Sequence, residues 1–137
     1  MLPAVDAAQA LADLTEISSQ VVQVAILDSD GALLATTIAD GDRAREFAAG
    51  VLRLADEAGR AGGKQGLAEF AQVEAATGEG SVFLVRDPAG AKLIAATTLP
   101  EPTVGLVFYD LKHCLQSIEP PAPARRAPRR KKADAAP

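Results

Sequence analysis

Hydrophobic and polar positions alternate most clearly in Val21–Thr37, VVQVAILDSDGALLATT. Val22, Val24 and Ile26 would point one way from a pleated strand, and Gln23, Ala25 and Leu27 the other. Asp28-Ser29-Asp30-Gly31 then separates this run from a second one, Ala32–Thr37. A polar tetrad closed by Gly predicts a hairpin. An Asp can accept a hydrogen bond from the backbone two residues on, and a Gly can take a positive φ. The pair is expected near the middle of one antiparallel sheet.

A helical period precedes it. In Pro3–Ile17, Val5, Ala8, Leu11, Ala12 and Ile17 approximate one face, and Pro3 suits a first helical turn. Ser18, Ser19 and Gln20 end that helix. Asp40-Gly41-Asp42 reads as a loop and helix start, with acidic side chains at the positive end of the helix dipole. Arg43–Arg60 is the longest helical pattern, with Phe47, Ala48, Val51, Leu54, Ala55 and Ala58 as its apolar stripe. Leu52 falls beside the stripe and widens the apolar surface. Gly59, Gly62, Gly63 and Gly66 are expected to break the helix.

Three strand patterns follow: Leu67–Ala75, Ser81–Arg86 and Lys92–Leu99. Thr77-Gly78-Glu79-Gly80 and Asp87-Pro88-Ala89-Gly90 supply the turns. SVFLVR is nearly continuous in apolar residues, as in a strand covered on both faces. Leu106, Val107, Phe108, Leu111, Leu115 and Ile118 define a last, broadly apolar helix over Val104–Ser117, with Thr103 as its expected cap. The links between successive strands are short, so each group should be antiparallel. The expected fold is α/β, of the α+β kind. It is a three-layer α/β/α sandwich around a five-stranded antiparallel sheet, in the order α-β-β-α-β-β-β-α.

Composition divides the 137 residues in two. Residues 1–119 hold eight basic and 17 acidic side chains, a formal charge of −9, and form one domain. Residues 120–137, PPAPARRAPRRKKADAAP, hold six basic and one acidic, a charge of +5. With no apolar period, this segment is expected to be a disordered tail. An acidic domain repels nucleic acid. The tail's Arg125, Arg126, Arg129, Arg130, Lys131 and Lys132 could attract an anionic membrane, a nucleic acid or an acidic partner, or serve only solubility. It has no aromatic side chain for stacking bases. No apolar run is long enough to span a bilayer, and MLPAVDAAQALADL lacks the basic start of a signal peptide. A single Cys excludes an internal disulfide and agrees with a cytoplasmic setting. Abundant Ala and Arg with no Asn points to a GC-rich bacterial genome.

The chemical motifs are fragments. Asp28-x-Asp30-Gly31 would start a calcium loop only if Ile26 and Thr37 were ligands, which Ile26 cannot be and Thr37 cannot do as the bidentate carboxylate. Gly62-Gly63-Lys64 lacks the Gly and Ser/Thr of a phosphate loop at Ala58 and Gln65, and it follows a helix. His113 and Cys114 are helix neighbours about 100° apart and do not converge. The pairs Asp40/Asp42 and Asp56/Glu57 fall on expected exposed surface. No catalytic, cofactor or metal set emerges, so no enzyme is expected.

Taken together, VVQVAILDSDGALLATT, the Ala-rich helix EFAAGVLRLADEAG, the strands SVFLVR and KLIAATT, and the helix opening Val104-Gly105-Leu106 resemble the Roadblock/LC7 family. The resemblance is to its bacterial MglB-like branch in particular and spans roughly residues 4–119. Ser18-Ser19-Gln20-Val21 departs from the turn that often precedes the first strand in that family. The resemblance implies a profilin-like fold and a non-catalytic homodimer that binds and regulates a small Ras-like GTPase through the face of its paired middle helices. It implies pairing through the middle helix and third strand, here Arg43–Arg60 and Leu67–Ala75. The residues agree in one respect: an edge strand without Pro beside a helix with surplus apolar area invites self-pairing. Phe47, Val51, Leu54, Phe70 and Val73 are the expected contacts, and Arg43, Glu46, Arg53 and Glu57 the expected partner-facing positions. The alternatives are a small-ligand sensor of profilin- or PAS-like fold, or a scaffold acting through the basic tail.

Overall fold

The computed structural model describes residues 6–64, 72–87 and 92–118. Its elements run α1 (Ala7–Ile17), β1 (Val21–Asp28), β2 (Leu33–Thr36), α2 (Gly41–Lys64), β3 (Gln72–Thr77), β4 (Gly80–Arg86), β5 (Lys92–Thr98) and α3 (Val104–Ser117). The expected α+β order holds throughout. The strands form one sheet in the order β2-β1-β5-β4-β3, and every neighbouring pair is antiparallel.

That order moves the hairpin. β2 is an edge strand, and β5 takes the centre by pairing with both β1 and β4. The reason is long-range: KLIAATT alternates two nearly flawless buried faces, with Leu93, Ile94, Ala95 and Ala96 all sealed. β2 has only four residues and none is fully buried.

The hairpin turn itself is as read. Asp28 Oδ1 accepts hydrogen bonds from the N–H groups of Asp30 (2.9 Å) and Ala32 (3.0 Å), and Gly31 sits at φ 89°. Leu52 packs on it: a Cβ at Gly31 would lie 2.7 Å from Leu52 Cδ1. Leu52 is thus a cover for the turn rather than surplus surface. A second glycine is required at Gly80. Its φ is 150°, and a Cβ there would stand 2.2 Å from the backbone oxygen of Thr98.

The helix ends follow capping chemistry. Asp6 accepts from Gln9 N and starts α1; Pro3 lies outside the described residues. Asp40 Oδ1 accepts from the N–H groups of Asp42 and Arg43 and starts α2. Thr103 occupies the N-cap of α3, yet its side chain makes no cap bond; its N–H instead donates to Gln20 Oε1 from the α1–β1 link. α2 runs through Gly59, Gly62 and Gly63, against the expected break. A glycine costs a helix about 1 kcal/mol but, unlike proline, removes no backbone hydrogen bond. Of the expected strand Leu67–Ala75, residues 67–71 lie outside the described residues, and β3 extends on to Thr77, leaving Gly78 and Glu79 as a two-residue turn.

Two cores flank the sheet. On one side α1 and α3 enclose Val24, Ile26, Phe83, Val85 and Ile94. Phe83 meets Phe108 edge to face, with ring centroids 4.9 Å apart. On the other side α2 alone lays Ala48, Val51 and Ala55 on Leu27, Leu84, Leu93 and Ala95.

Candidate interaction face on the second helix

The α2 side is incomplete in a definable place. The helix lies across β1, β2 and the central strands, reaching Leu27, Leu93, Ala95 and Leu84. Further along the sheet, register pairs Val73 with Leu84 and Ala75 with Val82, so Val73, Ala75 and Val82 continue the same sheet face toward β3. Val73 and Val82 are half-buried and Ala75 is exposed; five of the six β3 residues are exposed. β3 also ends the sheet, so its outer edge has no strand partner among the described residues. Beside α2 lies an open groove of about 410 Å³ that reaches this half-covered strip at Val82. Phe47, Gly50 and Leu54 form its helical wall, and Gln23, Ile38 and Val82 lie opposite.

The residues singled out from the sequence divide here. Phe47, Leu54 and Val73 are half-buried at the margin of the core, each with surface to spare. Val51 is only 3% exposed; it belongs to the protomer core and merely shows an edge to the groove. Phe70 lies outside the described residues. Arg43, Glu46, Arg53 and Glu57 all stand exposed on α2. Glu57 pairs with Arg60 at 2.9 Å. Gln23, Ile38, Gly50 and Val82 were not anticipated. For Gly50 a signal existed: a glycine inside a strong helical pattern marks a close approach. The tail cations Arg125 to Lys132 lie outside the described residues.

Cys114, His113 and Asp28 lie away from the groove lining. Cys114 is buried under α1, its thiol 3.5 Å from the Ala10 carbonyl oxygen. Burial, with a smaller push from Asp13, raises its pKa from 9.0 to about 12, so it carries no thiolate at neutral pH. His113 is exposed and stacks on Tyr109 at 6.0 Å. The Asp28 carboxylate serves the hairpin turn. Gly62–Lys64 is helical backbone rather than a phosphate-cradling loop. Among the described residues no three His, Cys, Asp or Glu side chains converge on a metal position. No helix among them is long and apolar enough to cross a membrane.

Comparison of the backbone with solved structures supplies the fold's relatives. A Roadblock/LC7 domain from Streptomyces avermitilis superposes with a TM-score of 0.72 at 19% identity, covering 82% of this chain and 94% of that one. The chain has the Roadblock/LC7 fold. MglB in a tetrameric arrangement matches with a TM-score of 0.68 at 13% identity, over 86% of this chain and 94% of that one. The gliding protein MglB of Thermus thermophilus matches at 0.64 and 12% identity, over 86% and 95%. No protein-family model and no curated protein matches the sequence. This Roadblock/LC7 fold is therefore carried by backbone topology at low identity.

Proposed function

We propose that this chain is a non-catalytic adaptor of the bacterial cytosol. It pairs with a second copy through α2 and β3 and offers the paired helices to a small Ras-like GTPase. The observation that supports this reading is the half-covered sheet face beside α2. Apolar Val73, Ala75 and Val82 share the sheet face that α2 covers, next to a strand edge with no partner among the described residues, and Phe47 and Leu54 line the groove with Val82. A second α2 laid in the groove would cover that strip, and a second β3 would continue the sheet. Arg43, Glu46, Arg53 and Glu57, all exposed on α2, would then lie along the seam and rim of the helix pair, and those at the rim would face a docking GTPase. Such a surface would act by favouring one arrangement of the partner's switch loops. The Roadblock/LC7 likeness, including MglB, supports the same reading. The adaptor domain spans residues 1–119, and the basic segment 120–137 supplies a second contact with an anionic surface or acidic partner.

The test uses the full chain as bait for nucleotide-loaded small GTPases from its native lysate. Retention of a GTPase in one nucleotide state supports the reading. Retention of none in either state refutes it. The groove also favours a second reading, a small-ligand site walled by Phe47 and Leu54 with Gln23, Arg43 and Glu46 as its polar groups. A small molecule that raises the melting temperature, and loses that effect in Leu54→Ala, would favour this alternative.

A further inference from the structure

The groove-facing side of α2 carries its own instructions for how a twin helix would lie. Arg43, Phe47, Gly50, Leu54, Glu57 and Ala61 recur at spacings of three and four, forming one stripe about 100° around the helix from the buried Ala44, Ala48, Val51 and Ala55. Gly50 lies in the middle of that stripe. The position where its Cβ would be is open; the nearest atom is Nη2 of Arg53 at 3.8 Å. A bare backbone at the centre of an otherwise covered helix allows the closest approach of a second axis.

We infer that two copies cross antiparallel with Gly50 against Gly50, and that the Arg43–Glu57 pairs formed across the axis make the contact specific to a second copy of this chain. This rests on the proposed homodimer and adds its register. A two-fold axis at Gly50 places each residue before it opposite the residue equally far after it. Arg43 and Glu57 are both seven residues away, about 10 Å along the helix. Each therefore meets its opposite charge on the twin, twice by symmetry. Glu46 and Arg53, four and three residues from Gly50, fall one residue short of the same match, at the rim. Phe47 and Leu54 fall on either side of the crossing. Neighbouring registers lose this match. Sliding Phe47 onto the twin's Gly50 sets Glu57 against Asp40, like against like. Sliding Leu54 there sets Glu57 against Phe47 and Arg43 against Ala61. Arg43, Glu46 and Arg53 form no ion pair with another described residue, which leaves them available. Glu57 already holds Arg60 and would share its carboxylate. Charge arranged in this way selects partner and register more than it adds affinity.

The experiment measures dimer dissociation of the full chain by sedimentation equilibrium. Arg43→Glu alone and Glu57→Arg alone are each expected to weaken self-association about 10-fold, because either change turns two attractions into two repulsions. Mixing these two variants restores both attractions in a heterodimer, as does Arg43→Glu/Glu57→Arg in one chain; both are expected within about 3-fold of wild type. Gly50→Gln, which favours the helix itself, is expected to weaken pairing more than about 10-fold while the thermal stability of the protomer holds or rises. A dimeric wild type whose charge variants do not rescue one another overturns the register alone. A wild type that is monomeric at all concentrations overturns both the register and the paired platform beneath it.

Discussion

On the α1/α3 side of the sheet two helices run in opposite directions, tied at one end by Gln20 to Thr103 and at the other by Cys114 to Ala10. Between them and the strands lie bulky, fully buried Ile26, Phe83, Ile94 and Leu111. On the α2 side one helix approaches closely through Ala44, Ala48, Val51 and Ala55. The first face uses large side chains and two helices and seals its interior, while Ile17, Val22, Leu106 and Tyr109 stay exposed around it. The second uses small side chains and one helix, and it leaves Phe47, Leu54, Val73 and Val82 only half-covered. In this Roadblock/LC7 fold the two faces of one sheet are therefore covered by different means.

The largest blow to that contrast is Phe83→Ala, which removes an aromatic side chain from the sealed core and its contact with Phe108. It should cost about 3–5 kcal/mol, read by urea titration, and the loss should not vary with protein concentration. Next comes the thiol that closes the same core. The folded-state pKa of Cys114, about 12, lies above its unfolded value of 9.0. Its burial therefore stabilises the fold in full below pH 9. Between pH 9 and 12 the unfolded chain releases the proton and the folded one keeps it, so stability falls. Relative to Cys114→Ala, the wild type should lose about 1.4 kcal/mol per pH unit across that window. A difference that stays flat with pH would remove the buried thiol from the account. The smallest effect on the protomer belongs to the α2 side. Leu54→Ala, at a half-covered position, should cost only about 1 kcal/mol in dilute solution. It should, however, abolish any dependence of melting temperature on concentration. A loss as large as that of Phe83→Ala would mean that Leu54 is core and the two faces are alike.

How far the sequence could be read follows the range of each signal. The Asp28–Gly31 turn, the limits of α3 and the β4 pattern are written in residues within a few positions of one another, and they stand as read. The expected stop at Gly59 fails for a physical reason, since propensity alone does not end a helix whose backbone bonds remain intact. On α2, the sequence pattern separated the exposed charges Arg43, Glu46, Arg53 and Glu57 from the apolar Phe47, Val51 and Leu54. It could not divide Val51 from Phe47 and Leu54, because a stripe marks apolar residues without saying which of two neighbouring directions the core occupies.

By itself, then, the chain's pattern determined the kinds, order and approximate limits of its elements, because period, turn chemistry and breakers act locally. Only the tertiary structure decided that β5 lies at the centre, that β2 and β3 are the edges, that Leu52 closes the Gly31 turn, and that Val73 and Val82 are only half-covered beside α2. Those outcomes depend on which distant surfaces meet, and many pairings satisfy the same local pattern until whole faces compete for burial.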